Sequence, residues 1–350
     1  MKRSKKKISY LNTLFFSMIL FTQSQSFDIY DDRIILKDYN YNLSENTKNS
    51  NYYNFAQTVK LENSVNELLD PIIKLNSSEK LVAYFDILEY ETGSYAYTFI
   101  HCDANWEYSN INQSDYLDGF HDNYINNYTY SFNTLTEYCH YRFTFPNENV
   151  NFTKSGNYIL LIYDDTKNKP VATKRFIINE DLIDINIDIK HSMLSKDRDI
   201  KQEIDFYITN YTSVDISNPI NDLKIIVQKN DDWNNIISNC KPSFIGNDIL
   251  EFDYQGEISF LAGNEYRDFD TKSLRYYGKN INSIETKMIQ NEQIYYVELE
   301  QELIYNKDEY QFKYDLNGKY VNSVSENKNK NNEAEYLLVK FRLDSKKIDE

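Results

Sequence analysis

The sequence predicts an all-β protein with two tandem antiparallel β-sandwich domains of the immunoglobulin-like kind, after an N-terminal signal peptide. Apolar and polar residues alternate with a period of two in many short runs, as in strands with one buried face. These runs supply most of the 32 Tyr and 20 Phe of the 350 residues, and aromatic side chains favour pleated sheet. Asn, Asp and Gly clusters separate the runs and favour turns.

The first 26 residues have the layout of a secretory signal peptide. Five Lys or Arg residues within 2–7 precede the apolar run Leu14–Phe21, and the small residues Thr22, Ser24 and Ser26 follow it. The run is shorter than the about 20 apolar residues of a transmembrane helix, and no Cys follows it for a lipid anchor. We expect an exported chain that does not span a membrane. Its formal charge goes from −16 to −21 when the five cations are removed.

The first predicted domain covers residues 27–180, in which period-two runs recur and each run is expected to be a strand. Residues 164–170 predict a hairpin loop between the last two strands, and the Asn- and Tyr-rich residues 40–57 predict a long loop. The expected strands are Ile29–Asp38, Lys80–Tyr90, Tyr95–His101, Tyr128–Phe132, Tyr138–Phe145, Tyr158–Tyr163 and Val171–Ile178.

The second predicted domain covers residues 181–350 and starts without a flexible linker, so the two domains are expected to keep a fixed relation. Asn317-Gly318 predicts a type I′ hairpin turn, which requires positive φ at both positions. The expected strands are Ile183–Ile189, Glu203–Thr209, Asp222–Gln228, Ile249–Tyr254, Ile294–Leu299, Tyr310–Leu316, Lys319–Val324 and Tyr336–Leu343.

Charge and motifs argue against several functions. The isoelectric point near 4.8 disfavours binding of nucleic acid, since phosphate repels an acidic surface. The sequence contains no GxSxG, P-loop, HExxH or GxGxxG motif. We therefore predict no enzymatic activity, no cofactor, no metal and no small-molecule substrate.

Cysteine and histidine offer little chemistry. Three cysteines rule out a purely intramolecular disulfide framework. Cys102 and Cys139 can pair only if their strands are neighbours, and two buried thiols are the favoured interpretation. Cys139 and His140 face opposite sides of a strand, and Cys102 meets His140 only if their strands pair. His101 and His140 are interpreted as hydrogen-bonded core or boundary residues.

Two groups of acids are candidate calcium sites, because oxygen-rich loops bind calcium in exported β modules. Asp28, Asp31 and Asp32 form one group, and Asp164 and Asp165 form the other. Neither has the spacing of an EF-hand loop. Solvated acidic surface is the favoured interpretation of both.

Two segments look like interaction surfaces. Residues 116–120 read as a turn with apolar anchors, and residues 263–276 alternate charged and aromatic residues with Arg that is rare in this acidic chain. Arg and aromatic residues are typical of interface hot spots, although an Arg paired locally with Asp is the structural alternative. The predicted interface residues are Asp118, Gly119, Phe120, Tyr266, Arg267 and Arg275.

Ten segments in order also carry a family resemblance: Ile29–Arg33, Pro71–Asn76, Phe99–Trp106, Tyr116–Phe120, Ser131–Leu135, His140–Asn147, Ser155–Tyr158, Gln202–Phe206, Gly263–Arg267 and Phe269–Tyr276. With them the sequence resembles the type IX secretion system plug proteins of Bacteroidetes, formerly a domain of unknown function, over about residues 28–285. The resemblance implies a non-catalytic periplasmic protein that closes the periplasmic end of a large outer-membrane β-barrel translocon, its partner. Substrates of this system are secreted folded, so the pore is wide and needs a removable seal.

Two other functions stay open from the sequence. One is an exported carbohydrate- or surface-binding β-sandwich module, with Trp106 and Trp233 as first candidates. The other is an exported hydrolase that uses paired carboxylates. Because plug proteins continue into further β structure, an end at Glu350 directly after a strand-like run leads us to expect a truncated second domain.

Overall fold

The computed structural model describes residues 56–88, 92–166, 169–214, 216–262, 266–289, 291–301, 316–325 and 329–342. The predicted signal peptide, the expected strand Ile29–Asp38, Asp28, Asp31 and Asp32, and all but the last residue of the expected strand Tyr310–Leu316 lie outside these ranges. The described chain is nearly all β, which confirms the predicted fold class.

The described residues form 21 strands. The first eleven are β1 Ala56–Asn63, β2 Ile72–Lys74, β3 Leu81–Ile87, β4 Tyr95–Cys102, β5 Leu117–Gly119, β6 Asn123–Tyr124, β7 Tyr128–Tyr130, β8 Cys139–Phe145, β9 Val150–Phe152, β10 Gly156–Asp164 and β11 Lys169–Asn179. The others are β12 Asp184–His191, β13 Lys201–Thr209, β14 Ile226–Lys229, β15 Asp232–Ser238, β16 Phe244–Ile245, β17 Ile249–Phe252, β18 Ser259–Leu261, β19 Ile281–Ile289, β20 Glu292–Leu299 and β21 Leu337–Lys340. The single-turn helices are α1 Gln113–Tyr116 and α2 Pro219–Asp222, with a 3₁₀ turn at Tyr211–Ser213.

Strands β1 to β11 build a sandwich of two sheets, which we call the first sandwich. Sheet A has the order β1-β3-β8-β7, sheet B has the order β2-β11-β10-β4-β6, and β5 pairs with β9 beside them. All pairs are antiparallel except β2 with β11, which corrects the expectation of a wholly antiparallel sandwich. The β10–β11 hairpin confirms the predicted loop between those strands.

Aromatic side chains fill the space between sheets A and B. Rings from β4 of sheet B pack against rings from β8 of sheet A: the centroids of Tyr97 and Phe143 are 4.2 Å apart, and those of Phe99 and Phe145 are 4.7 Å apart. Phe176 on β11 joins the same cluster, 5.2 Å from Phe145. This accounts for the high aromatic content of the sequence, since each such ring buries a large apolar area.

The central strands of the first sandwich are covered on both faces. Seven consecutive residues of β10 are buried, from Tyr158 to Asp164. Its outward residue Ile159 packs with Trp106, and Trp233 from the β14–β15 hairpin lies against the same cluster. Period-two alternation therefore identifies the strand but underestimates its burial, because a segment distant in sequence covers the outer face.

The remaining strands form smaller sheets. Sheet C has the order β12-β13-β17-β16, and β18 also pairs with β13. The core of this sheet includes Phe206, Ile208, Leu250 and Phe252. The β14–β15 hairpin packs on that core through Val227 and other residues. Sheet D has the order β19-β20-β21, in which β21 is parallel to β20. β11 ends at Asn179 and β12 begins at Asp184. The proposed domain limit near residue 180 stays a prediction.

Most expected strands in the described ranges are present, and three expectations are corrected. Lys319–Val324 forms no strand, because this segment lies extended along the first sandwich. The expected strand Asp222–Gln228 starts only at Ile226, after helix α2. Of the expected long loop of residues 40–57, residues 40–55 lie outside the described ranges, and Ala56 and Gln57 belong to β1 instead. Positive φ values of 50° at Asn317 and 79° at Gly318 agree with the predicted turn, but no hairpin follows it, since Lys319–Val324 forms no strand.

Candidate interaction surfaces

The predicted interface residues Asp118, Gly119 and Phe120 lie on and after strand β5. Buried Leu117 anchors the strand, and the Phe120 N–H donates to the Asn149 carbonyl at 2.8 Å. Gly119 has φ +107°, and a Cβ there would lie 2.1 Å from the Asn149 oxygen. The glycine therefore permits a backbone approach that leaves the Phe120 ring 66% exposed.

The substitution Gly119→Ala is expected to destabilise the protein by about 1–3 kcal/mol, because it adds a positive-φ penalty to a backbone clash. Urea unfolding measures this difference. Asp118→Ala, on the same strand and exposed, is the matched control and should change stability by no more than about 0.5 kcal/mol. Equal stabilities of the two variants would contradict the assigned role of the glycine.

Phe120 is the first of five exposed aromatic residues that lie between residues 120 and 132 of the first sandwich. We call these five residues the aromatic edge, because Tyr124 lies on β6, the last strand of sheet B, and Tyr128 and Tyr130 lie on β7, the last strand of sheet A. Large exposed apolar side chains grouped in one segment mark interaction sites on soluble proteins. The members and their exposed fractions are Phe120 66%, Tyr124 60%, Tyr128 43%, Tyr130 38% and Phe132 67%.

Sequence reasoning interpreted most of the aromatic edge as core. Tyr128 and Tyr130 do lie on the core side of sheet A, opposite Tyr141 and Cys139. They remain exposed because β7 is the marginal strand of the sheet. The period-two spacing of the aromatic residues at 128, 130 and 132 indicates that they share one face of a strand. Spacing does not show where the facing sheet ends, so it cannot show that these residues are exposed.

The other predicted interface residues, Tyr266, Arg267 and Arg275, lie together around one cleft. It has a volume of about 1850 Å³ and lies between the outer face of sheet A and the segments 266–275 and 316–342. Arg267 and Arg275 are exposed, whereas Tyr266 packs on Gly318. The 118–120 residues do not line this cleft, so the structure separates the six predicted residues into two groups.

The segment 316–342 is held against the first sandwich through buried polar contacts. The Tyr336 hydroxyl lies 2.6 Å from an Asp86 oxygen and 2.6 Å from the Thr58 hydroxyl. The other Asp86 oxygen lies 2.6 Å from His140 Nδ1. Burial, together with the Asp86 carboxylate, raises the pKa of Tyr336 well above its ordinary value, so this hydroxyl stays a proton donor.

Further contacts extend this attachment along the segment. Tyr138 donates to the Ala334 carbonyl at 2.9 Å, and the Glu335 carboxylate accepts from the backbone N–H groups of Leu135 and Thr136. Lys60 lies 4.2 Å from the centre of the Tyr320 ring. We call residues 316–342 the strap.

The two tryptophans do not form an exposed binding platform. Their ring centroids are 5.0 Å apart with an interplanar angle of 80°. Trp106 is only 5% exposed, and the Arg175 guanidinium lies 4.6 Å from its ring. The geometry therefore removes the residues on which the carbohydrate-binding interpretation depended, since sugar rings stack on exposed and coplanar aromatic faces.

All three cysteines lie in the described residues, and each is a buried thiol outside any disulfide. Cys102 on β4 lies in the outer cluster with Trp106, whereas Cys139 on β8 lies in the core between sheets A and B, so neither the disulfide nor the Cys102–His140 pair is formed. The histidine interpretation is confirmed. His101 contacts the Ser109 hydroxyl at 2.8 Å and the Ser155 carbonyl at 3.0 Å, and His140 contacts Asp86.

The acidic groups differ from expectation. Asp164 is buried and accepts a hydrogen bond from the Thr166 hydroxyl at 2.7 Å, so the solvated interpretation is wrong for it. Within the described ranges, one group of acids converges instead on sheet C: Glu203, Asp205 and Asp253, with oxygens within 4.8 Å of one another. In the sequence, only the i, i+2 spacing of Glu203 and Asp205 indicated that two of these acids share one face of a strand. The separation between the oxygens of these three side chains is below the about 5–10 Å between the two catalytic carboxyl groups of a glycosidase.

Helices in the described part of the chain are too short to cross a membrane. Residues 56–180 match the family model described as type 9 secretion system plug protein first domain. Among solved structures, the chain is similar to the crystal structure of a hypothetical protein from Parabacteroides merdae, with a TM-score of 0.78 and 28% sequence identity. That alignment covers 85% of this chain and 74% of the other. No curated protein matches the chain.

Proposed function

We propose that this chain is a non-catalytic plug or accessory subunit of the type 9 secretion system, because residues 56–180 match the family model of the plug protein first domain. In this proposal it occludes the periplasmic end of the outer-membrane β-barrel translocon when no substrate is in transit. The match of the first sandwich to the plug domain is the observation that carries the proposal, and that family is not an enzyme family.

The proposal includes the location of the protein. The plug family is one of envelope-associated exported proteins. We propose that residues 1–26 are removed as a signal peptide and that the mature chain is periplasmic. It is held at the outer membrane by its partner, not by a segment of its own.

The physical features of the first sandwich suit reversible occlusion. A plug requires rigid bulk, and the interdigitated aromatic core between sheets A and B supplies it. It also requires a contact surface that can release. The aromatic edge offers large apolar side chains for contact, and the acidic residues of the chain keep the surrounding surface hydrated.

We propose that the contacts with the barrel lie on the aromatic edge and the adjoining Asp118 and Gly119. Arg267 and Arg275, exposed at the cleft, are proposed as a second contact, since Arg is typical of interface hot spots. Tyr266 organises this second contact from within, because its ring packs on the turn at Gly318.

The test is recovery of the partner from detergent-solubilised outer membranes with the tagged, full-length chain. We expect the wild-type protein to recover a very large barrel protein, and Phe120→Ala to recover at least about tenfold less, because truncating a hot spot costs 2 kcal/mol or more. Phe244→Ala is the matched control: Phe244 is 53% exposed but lies in sheet C.

The outcomes separate two claims. Failure of the wild-type chain to recover any barrel protein would contradict the plug function itself. Equal recovery by Phe120→Ala and Phe244→Ala would leave the function in place and overturn the assignment of the aromatic edge. A deletion strain whose outer membrane admits no more large hydrophilic dye than wild type would contradict occlusion.

A further inference from the structure

Three carboxylates from two neighbouring strands meet on the outer face of sheet C. Glu203 and Asp205 lie two residues apart on β13, so they project to the same face, opposite to Phe206 in the core. Asp253 directly follows β17, whose Phe252 pairs with Phe206, and this register brings Asp253 beside Asp205. The oxygens of the three side chains lie within 4.8 Å of one another.

Two oxygens of this group are buried without a hydrogen-bond partner. Glu203 is 1% exposed; its Oε2 accepts from the Met193 N–H at 2.7 Å, but its Oε1 accepts no hydrogen bond. Asp205 Oδ1 is likewise buried and without a hydrogen-bond partner. A buried carboxylate oxygen without a hydrogen bond is costly, so these two atoms are suited to bind a cation.

The strand register concentrates negative charge further. Asp188 on β12 lies directly opposite Asp205. Acids therefore occur side by side on β12, β13 and at the end of β17, although like charges placed opposite each other destabilise a sheet. Glu203 and Asp205 are the more deeply buried members.

Lys190 is the cation that contacts this group in the described structure. Its ammonium hydrogen-bonds to Asp205 and lies 3.9 Å from Glu203 Oε1. One positive charge nevertheless faces three carboxylates, and the Lys190 side chain on the edge strand β12 is 32% exposed and able to swing into solvent.

We propose that Glu203, Asp205 and Asp253 bind a divalent cation, with Ca²⁺ as the best fit. Ca²⁺ takes six to eight oxygen ligands at about 2.3–2.6 Å, so one ion reaches oxygens separated by up to about 4.6–5.2 Å. The measured span lies within that limit. Mg²⁺, with bonds of about 2.0–2.1 Å and strict octahedral geometry, fits the span less well. Water completes the shell on the side of exposed Asp253.

The site changes one conclusion drawn from sequence and is independent of the plug function. Sequence analysis predicts no metal, because the acids that are adjacent in sequence lack a known calcium spacing. The three ligands become neighbours only through the pairing of β13 with β17. An ion here would cross-link these strands and neutralise the charge that otherwise opposes their pairing.

The experiment is isothermal titration of the full-length, EDTA-treated protein with CaCl₂ and, separately, MgCl₂, at constant ionic strength. We expect one Ca²⁺ per chain with a dissociation constant of about 0.1–1 mM, typical of extracellular modules, and weaker binding of Mg²⁺. Asp253→Asn should weaken Ca²⁺ binding on the order of tenfold by removing one ligand charge. Glu251→Gln, exposed and two residues earlier on the same face of β17, is the matched control and should bind like wild type.

Lys190→Gln gives an independent test, because it removes the ammonium that competes with the ion. We expect it to bind Ca²⁺ more tightly than wild type, which a purely structural role of the cluster would not produce. The proposal is overturned if the wild-type protein shows no saturable Ca²⁺ binding. It is also overturned if Asp253→Asn and Glu251→Gln bind equally, or if Lys190→Gln binds no more tightly than wild type.

Discussion

Replacing Phe99 with Ala is expected to lower the free energy of unfolding of the first sandwich by about 3–5 kcal/mol, the range for truncating a fully buried Phe. Phe99 is 0% exposed and lies at the centre of the aromatic cluster. Its ring contacts those of Phe145 on sheet A at 4.7 Å and Phe152 on β9 at 4.9 Å. The truncation therefore removes contacts to several strands and leaves a cavity that rigid neighbours cannot fill.

Urea unfolding followed by circular dichroism measures this effect. Phe132→Ala is the matched control, because it deletes the same atoms from a ring that is 67% exposed, and it should change stability by less than about 1 kcal/mol. Phe99→Leu should fall between the two. A Phe99→Ala protein as stable as Phe132→Ala would show that the sandwich core is not packed as described.

Replacing Asp86 with Ala is expected to lower the free energy of unfolding by about 3 kcal/mol, because it leaves buried His140 without its partner and removes one of the two partners of the Tyr336 hydroxyl. Asp86 is 5% exposed and joins His140, on the neighbouring strand β8, to Tyr336 in the strap, each at 2.6 Å. Loss of this carboxylate removes a link between residues that are 250 positions apart in sequence. We therefore expect the strap to detach more often from sheet A.

Two measurements test this second expectation. A double-mutant cycle with Tyr336→Phe should give a coupling energy of about 1–3 kcal/mol, since the two groups share a buried hydrogen bond. Limited proteolysis should cleave the strap of Asp86→Ala faster than that of wild type. Glu137→Ala, an exposed acid two residues before β8, is the control, and equal cleavage of the two variants would contradict the role of Asp86.

Many strands of the first sandwich could be predicted from the sequence. Runs such as Tyr95–His101 and Val171–Ile178 combine aromatic or β-branched residues with a period of two, and both are strands within one or two residues of the predicted limits. Strand β1 was missed, because polar residues alternate irregularly in AQTVKLEN. Its pairing with β3 shows a register shift between Gln57 and Lys60, where Thr58 has a positive φ.

The candidate sites were harder to predict from the sequence. Sequence reasoning placed Phe120 on an interaction surface; the structure leaves this residue 66% exposed, and its role in an interface stays a prediction. Sequence reasoning did not group Phe120 with Tyr124 and Phe132, because the exposure of these residues depends on where sheets A and B end. Tyr266, Arg267 and Arg275 were predicted as contact or interface-organising residues, and only the structure shows that they line a cleft formed with the first sandwich.

By itself the sequence determined that this protein is a β-sheet protein, where most strands lie, and its resemblance to plug proteins, because alternation and ordered motifs are local properties of a chain. Only the tertiary structure decided which strand faces are covered, that the strap returns to sheet A, and that Glu203, Asp205 and Asp253 meet. The physical reason is that a period of two shows which side chains share a face, whereas the partner of that face is set by strand pairing and packing between residues far apart in the sequence.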